Sequence, residues 1–189
     1  MLAGPLLARF KKAYIPKPGG DKIGRRKLDT HIVGFQKLGA SYTYEDHSGF
    51  FKLSAERLKG TFMLLDEPSV TGTANVVMAA VLSEGTTIIY HAACEPYVQQ
   101  LCRMLVSMGA SISGIGSNML TIEGVASLNG THHRILPDMI EVGSFIGLAA
   151  MTQSDIRIKG AGVKDLGVIP EKFQQLGIQL QIHDDDIHV

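Results

Sequence analysis

The chain has 189 residues, 45% hydrophobic and 19% charged, which fits an ordinary globular protein of one domain or two small ones. Its 18 Lys and Arg balance 18 Asp and Glu, so it lacks the broad positive field on which a generic nucleic-acid or membrane-surface binder depends. Its two cysteines, Cys94 and Cys102, give neither a disulfide framework nor a C-x-x-C metal pattern, and imply reduced thiols in a cytoplasmic protein.

The opening "MLAGPLLARFKKA" is apolar, but its basic residues follow the apolar run, the wrong order for a signal peptide. No apolar run approaches the ~20 residues of a membrane helix. Next comes "PKPGGDKIGRRKLDTHI", residues 16–32, a Gly-rich loop that places Asp21 among Lys17, Lys22, Arg25, Arg26 and Lys27. A helix is predicted over 29–38, then strands over 41–46 and 50–55 joined by a turn at Ser48-Gly49. "TFMLLD" reads as a third strand. "SVTGTANVVMAAVLSEG" reads as a helix with Ser69 or Thr71 as N-cap and Gly85 as the stop. "TTIIYHAA" is β-rich, and "EPYVQQLCRMLVSMGA" is helical with Pro96 in the first turn. "GIGS" (114–117) suits a hairpin turn before "MLTIEGVA". "HHRILP" would be a solvated strand, "DMIEVGSFIGLAAMTQ" an apolar helix, and "DDD" (184–186) a polar turn at a strand end.

These elements repeat. "FQKLGASYTY", "LVSMGASISG" and "FQQLGIQLQI" each end a helix on a glycine and continue into an alternating strand, and Gly39, Gly109 and Gly177 lie 70 and 68 residues apart. Gly60 pairs with Gly130, and Ala79-Ala80 with Ala149-Ala150, each 70 apart. The repeat unit is β-α-β-α-β-β in circular order, and the Met and Ala stripes of its 74–82 and 142–151 helices read as core.

Several segments are candidate sites, each with a plain structural alternative. The glycines of "PGGDKIG" allow unusual backbone angles and free N–H groups, and the surrounding cations favour a phosphate or carboxylate; an ordinary Gly-rich turn is the alternative. No G-K-[ST] follows, so it is not a Walker loop. "RRKLDTHI" brings Arg26, Asp29 and His31 to a helix entry, where Asp29 or Thr30 could simply be the N-cap. "EPSVTGT" (67–73) also precedes a helix, as an anion- or carbonyl-binding end or as simple capping. His132-His133 lack a partner at metal spacing, and no metal or cofactor is expected.

With the loop, the R-x-x-D-x-H helix entry and the repeat in view, the chain resembles the enolpyruvyl transferase family, in the branch that acts on UDP-N-acetylglucosamine. The family's loop reads P-G-G-C-x-I-G-x-R-P-x-D-x-H, and residues 18–31 read "PGGDKIGRRKLDTH". The likeness extends through "SVTGTANVVMAAVLSEGTTII", "EPYVQQLCRMLVSMGASISGIG", "LTIEGV" and "LPDMIEVGSF", essentially the whole chain. It implies an α/β fold, an inside-out α/β barrel of repeated βαβαββ units, here incomplete. Residues 1–134 would be part of a first domain and 135–189 the start of a second. It also implies transfer of the enolpyruvyl group of phosphoenolpyruvate to the 3′-hydroxyl of UDP-N-acetylglucosamine, the first committed step of peptidoglycan synthesis.

By the same resemblance, Asp21 stands at the loop cysteine that serves as general acid, a substitution implying fosfomycin resistance. Arg26 matches an arginine contacting the substrates' anionic groups, and Arg26, Lys27, Leu28, Asp29 and Thr30 match a UDP-sugar segment with His31 beside it. Glu67, Pro68, Ser69 and Val70 match a second such segment. Lys27 replaces a usual proline and Met139 a usual arginine. Further active-site residues would precede Met1 and follow Val189. The chain is therefore expected to be a piece of a longer protein, inactive alone and prone to self-association. The rival readings are a non-catalytic UDP-sugar-binding module and 5-enolpyruvylshikimate-3-phosphate synthase, whose loops lack this segment.

Overall fold

A computed structural model describes residues 1–17, 19, 28–47 and 49–189. They form two compact units, Met1–His133 and Arg134–Val189. No helix among the described residues is long and apolar enough to cross a membrane.

The first unit runs α1 (Ala3–Phe10), β1 (Lys12–Pro16), α2 (Asp29–Lys37), β2 (Ser41–Glu45), β3 (Phe50–Ser54), β4 (Phe62–Leu64), α3 (Val70–Ala80), β5 (Thr86–Tyr90), α4 (Pro96–Ser107), β6 (Ser111–Ser113) and β7 (Met119–Glu123). Its two sheets have the orders β1-β3-β2 and β4-β5-β7-β6. Among these named strands β4 and β5 alone pair in parallel, as strands joined through a crossover helix must, with Phe62 opposite Ile88 and Leu64 opposite Tyr90. The stretch β4-α3-β5-α4-β6-β7 is one complete βαβαββ unit. The stretch α1-β1-α2-β2-β3 repeats it without the first strand, since β1, β3 and β2 stand as β5, β7 and β6 do.

At the centre of this unit lies α3. Its Thr73, Asn75, Val76, Val77, Ala79 and Ala80 are all at most 2% exposed, because α1, α2 and α4 pack around it. Small residues permit that approach: a Cβ on Gly4 of α1 would sit 2.3 Å from the Asn75 carbonyl oxygen. Cys102 is sealed into the same core, and burial pushes its thiol up to about 11, whereas Cys94 is exposed; both are free.

The second unit runs α5 (Met139–Thr152), β8 (Arg157–Ile158), a 3-10 turn (Val163–Asp165), α6 (Ile169–Gln175), β9 (Gln181–His183) and β10 (Asp186–His188), with sheet order β8-β10-β9. The same motif thus recurs a third time. Val142, Ile146, Ala161, Leu166 and Ile187 form its small core. Asp138 caps α5, its Oδ1 accepting from the Ile140 N–H at 2.8 Å.

The three repeat glycines carry the same helix stop. Gly39, Gly109 and Gly177 have φ of +94°, +104° and +86°. In each, the glycine N–H bonds the carbonyl three residues back, and the next N–H bonds the carbonyl five back: Ala40 to Phe35 (3.0 Å), Ala110 to Leu105 (2.9 Å) and Ile178 to Phe173 (3.1 Å). This is the Schellman arrangement, which satisfies orphan carbonyls and requires a left-handed residue.

Four expectations are corrected. The predicted strand at "HHRILP" is irregular chain, because no described strand lies beside it: β8 pairs only with β10. The helix from Ser69 ends at Ala80 and not at Gly85, where Ser83 turns the chain by bonding the Ala80 carbonyl through both its N–H (3.0 Å) and its Oγ (2.7 Å). Asp29 and Thr30 are not the N-cap of α2; Leu28 holds that position and supplies no side-chain cap. The 142–151 stripe is core only at Val142, Ile146 and Ala149, while Phe145, Leu148 and Met151 are exposed. The hairpin turn at 114–117 joins β6 to β7 as expected, with Gly114 and Gly116 at positive φ. The triple Asp divides: Asp184 and Asp185 form the turn between β9 and β10, and Asp186 begins β10.

Candidate functional site

The first turns of α2 and α3 open onto one cleft of about 860 Å³, lined by residues 28–31 and 66–71. Nearly 40 positions separate the two segments in sequence, and the packing of α2 on α3 brings them together. Leu28, Asp29, Thr30, His31, Glu67, Pro68, Ser69 and Val70 all line it. Asp21, Arg26 and Lys27, with Pro18, Gly20 and residues 22–25, lie outside the described residues, as does Ser48 of the predicted turn.

The local chemistry fixes both walls. Ser69 caps α3, its Oγ accepting from the Gly72 N–H at 3.1 Å. Thr30, 7% exposed, donates from Oγ1 to Glu67 Oε1 at 3.3 Å and ties one wall to the other. Each helix start carries about half a positive charge, which suits an anionic ligand group. The carboxylates of Asp29, Asp66 and Glu67 offer acceptors for a ligand's hydroxyl or N–H donors. The cleft is thus equipped for a polar ligand with both charge and donors.

His31 lines the cleft and is itself half-buried. Its Nδ1 is 2.9 Å from Asn75 Nδ2 and its Nε2 3.3 Å from Thr71 Oγ1. With Ile15, Ile32, Phe35 and Phe51 it also borders a small apolar cavity. That burial lowers the imidazole pKa below 6.5; the chain's amino-terminal charge adds to the effect and Glu67 opposes it. With a folded pKa below the unfolded one, the unfolded chain binds more protons between the two values. The stability that the neutral ring contributes is therefore present above pH 6.5 and lost as pH falls through the folded pKa.

Sequence reasoning missed Asp66 and Asn75 as parts of this site, and gave the Thr71 side chain no ligand role. Thr71 lay within the candidate segment 67–73 and was also a possible cap, a role that Ser69 fills. Asn75 had a visible signal: it is the one amide inside the apolar helix "ANVVMAA", where a buried amide needs partners. Its partners, Gly4 and His31, lie 71 and 44 residues away and leave no trace in local pattern.

Known proteins agree with this architecture. The family model described as EPSP synthase (3-phosphoshikimate 1-carboxyvinyltransferase) matches residues 1–189. The UDP-N-acetylglucosamine 1-carboxyvinyltransferase of Bacteroides thetaiotaomicron is 66% identical over 189 residues, covering 100% of this chain and 44% of that protein. The protein of the same name from Porphyromonas gingivalis is 62% identical, with the same coverage of 100% and 44%. The chain thus spans less than half the length of these relatives. Among solved structures, the enolpyruvyl transferase NikO from Streptomyces tendae superposes with a TM-score of 0.81 at 19% identity, over 97% of this chain and 44% of that one. An EPSP synthase from Acinetobacter baumannii gives 0.65 at 20% identity, over 100% and 44%. At such identities the likeness concerns the fold, which is the α/β fold of the enolpyruvyl transferases. By its sequence along all 189 residues and by the βαβαββ pattern of its elements, the chain belongs to the EPSP synthase (3-phosphoshikimate 1-carboxyvinyltransferase) family.

Proposed function

We propose that the protein to which these residues belong transfers the enolpyruvyl group of phosphoenolpyruvate to the 3′-hydroxyl of UDP-N-acetylglucosamine, and that the cleft between α2 and α3 is part of its nucleotide-sugar site. The observation that carries this reading is the convergence of residues 28–31 and 67–70 on one cleft, since those are the two segments that the resemblance assigns to the UDP-sugar. In the reaction the 3′-hydroxyl gives up its proton to a base as its oxygen bonds to C2 of phosphoenolpyruvate, and a proton from the acid adds to the methylene carbon. Loss of a proton from that carbon and of the phosphate then restores the double bond. The proton donor in this proposal is Asp21, with Arg26 and Lys27 holding anionic groups. Residues 1–134 are assigned to a first domain and 135–189 to the beginning of a second. The setting is peptidoglycan synthesis in the cytoplasm, and the carboxylate at position 21 confers resistance to fosfomycin.

The identity to two UDP-N-acetylglucosamine 1-carboxyvinyltransferases, against 20% for the EPSP synthase structure, supports this substrate over shikimate 3-phosphate. Phosphate release from phosphoenolpyruvate that depends on UDP-N-acetylglucosamine tests the reaction. Release that depends instead on shikimate 3-phosphate would overturn it.

For the 189 residues alone, binding of UDP-N-acetylglucosamine is expected to be weak, because small-ligand sites bury most of the ligand between converging walls. A calorimetric titration should show no micromolar site; micromolar affinity in a monomer of this chain would contradict that. The exposed Phe145, Leu148 and Met151 of α5 also lead us to expect self-association. Light scattering should report a dimer or larger species, and a clean monomer at micromolar concentration would refute it.

A further inference from the structure

A line of hydrogen bonds crosses the first unit from backbone to cleft. The Gly4 N–H bonds Asn75 Oδ1 at 3.0 Å, Asn75 Nδ2 meets His31 Nδ1 at 2.9 Å, and His31 Nε2 meets Thr71 Oγ1 at 3.3 Å. The direction of every bond is determined. A backbone N–H only donates, so Oδ1 faces Gly4 and the amide NH2 faces the imidazole. An amide NH2 only donates, so Nδ1 of His31 accepts. A neutral ring that accepts at Nδ1 carries its hydrogen on Nε2 and donates to the Thr71 oxygen. The hydroxyl proton of Thr71 is then turned away from the ring. Among the described residues no other partner takes it, and Thr71 lines the cleft. Helix capping does not account for the arrangement, since Ser69 already caps α3.

We infer that Asn75 and His31 act as positioning residues that hold the Thr71 hydroxyl as a hydrogen-bond donor toward a carbonyl or phosphate oxygen of the nucleotide sugar. The inference rests on the nucleotide-sugar reading of this cleft and deepens it: Thr71 becomes a residue that selects an acceptor atom of the ligand. The relay also uses the burial of its middle member. Asn75 is 2% exposed, so its amide has no water with which to exchange partners, and its orientation is transmitted to the ring. A protonated His31 would set an N–H against the Asn75 amide hydrogens, and the lowered pKa of the ring keeps it neutral at pH 7.

Two measurements on the 189-residue chain test this. Long-range proton–nitrogen NMR reads the His31 tautomer directly; the Nε2–H form is expected at neutral pH, and the Nδ1–H form would overturn the inference whatever the chain binds. Titration with UDP-N-acetylglucosamine into the millimolar range, followed on backbone amides, should move residues 28–31 and 67–71. Thr71→Val should weaken that binding about tenfold, the effect of one lost hydrogen bond, while Thr71→Ser keeps it within about twofold. Thr71 is exposed, so both variants should fold, as an unchanged amide spectrum would verify. Undiminished binding by Thr71→Val would overturn the inference and leave the nucleotide-sugar reading standing. No shift at the cleft in the unaltered chain would overturn both.

Discussion

Replacing Asp21 by asparagine is expected to abolish turnover in an enzyme of full family length carrying this sequence. Replacing it by cysteine is expected to retain turnover and to create sensitivity to fosfomycin. An ordinary aspartate has a pKa of about 3.9, so about one carboxyl in ~10³ is protonated at neutral pH. A carboxylate that must give a proton to carbon therefore needs its environment changed when substrate arrives. Bound phosphoenolpyruvate brings negative charge, and closure around it removes water; both raise the pKa of a nearby carboxyl group. The neighbouring cations in sequence, Lys17, Lys22, Arg25, Arg26 and Lys27, are suited to hold that anion. A positioned general acid is worth about 10²–10⁴ in rate, and an asparagine has no proton of comparable acidity. A thiol, with a reference pKa of about 8.5, stays protonated to higher pH. The alkaline limb of kcat should accordingly lie at lower pH for the Asp enzyme than for Asp21→Cys. A carboxylate is also the weaker nucleophile toward an epoxide, which accounts for the expected resistance of the unaltered protein. Steady-state kinetics and mass spectrometry after exposure to fosfomycin check both halves. Full activity of Asp21→Asn would remove the acid role, and an adduct on Asp21 would remove the resistance.

The parts of this molecule that were legible in its sequence are those whose cause is local. A helix ending on a glycine leaves a mark three times over, because only glycine takes the left-handed stop cheaply; Gly39, Gly109 and Gly177 gave the repeat length and the repeat unit together. Ser69 was legible as a cap because the bond it makes spans three residues. The strand expected at 132–137 has the composition of a strand, but a strand exists only where a neighbour accepts its hydrogen bonds, and neighbours are not local. The same limit applied to the site. Residues 28–31 and 67–70 were each legible as a loop entering a helix, with capping or ligand contact as open explanations for the first and capping the favoured one for the second. Their meeting in one cleft depends on α2 packing against α3, and on the Thr30–Glu67 bond, which no window of sequence contains. The relay through Asn75 is further still from local pattern, since it begins at Gly4.

Gly60 and Gly130 make the difference between repeat and structure measurable. They occupy equivalent places 70 residues apart, so a reading from the repeat alone would expect equal sensitivity to substitution. The packing says otherwise. A Cβ on Gly60 would lie 2.3, 2.5 and 2.7 Å from the carbonyl oxygen, carbonyl carbon and nitrogen of Thr86, and all three are backbone atoms at the first residue of β5. No side-chain rotation can relieve that overlap; either β5 moves or residue 60 does. Movement of β5 would disturb its register with both β4 and β7, and movement of residue 60 would break the Gly60 N–H bond to the Glu84 carbonyl at 2.7 Å. Overpacking of this kind costs about 1–3 kcal/mol, and the loss of a buried backbone hydrogen bond adds about 1 kcal/mol. Gly130 has nothing within 4 Å of the same position, and its φ is not in the left-handed region. Alanine there meets no obstacle and restricts the unfolded chain, which changes stability by ~0.5–1 kcal/mol in the favourable direction. Gly60→Ala should therefore lower the denaturation midpoint of the first unit clearly, while Gly130→Ala leaves it unchanged or slightly raised. Chemical denaturation of the two variants beside the unaltered chain decides it, and equal midpoints for the two would refute the packing of Gly60 against β5.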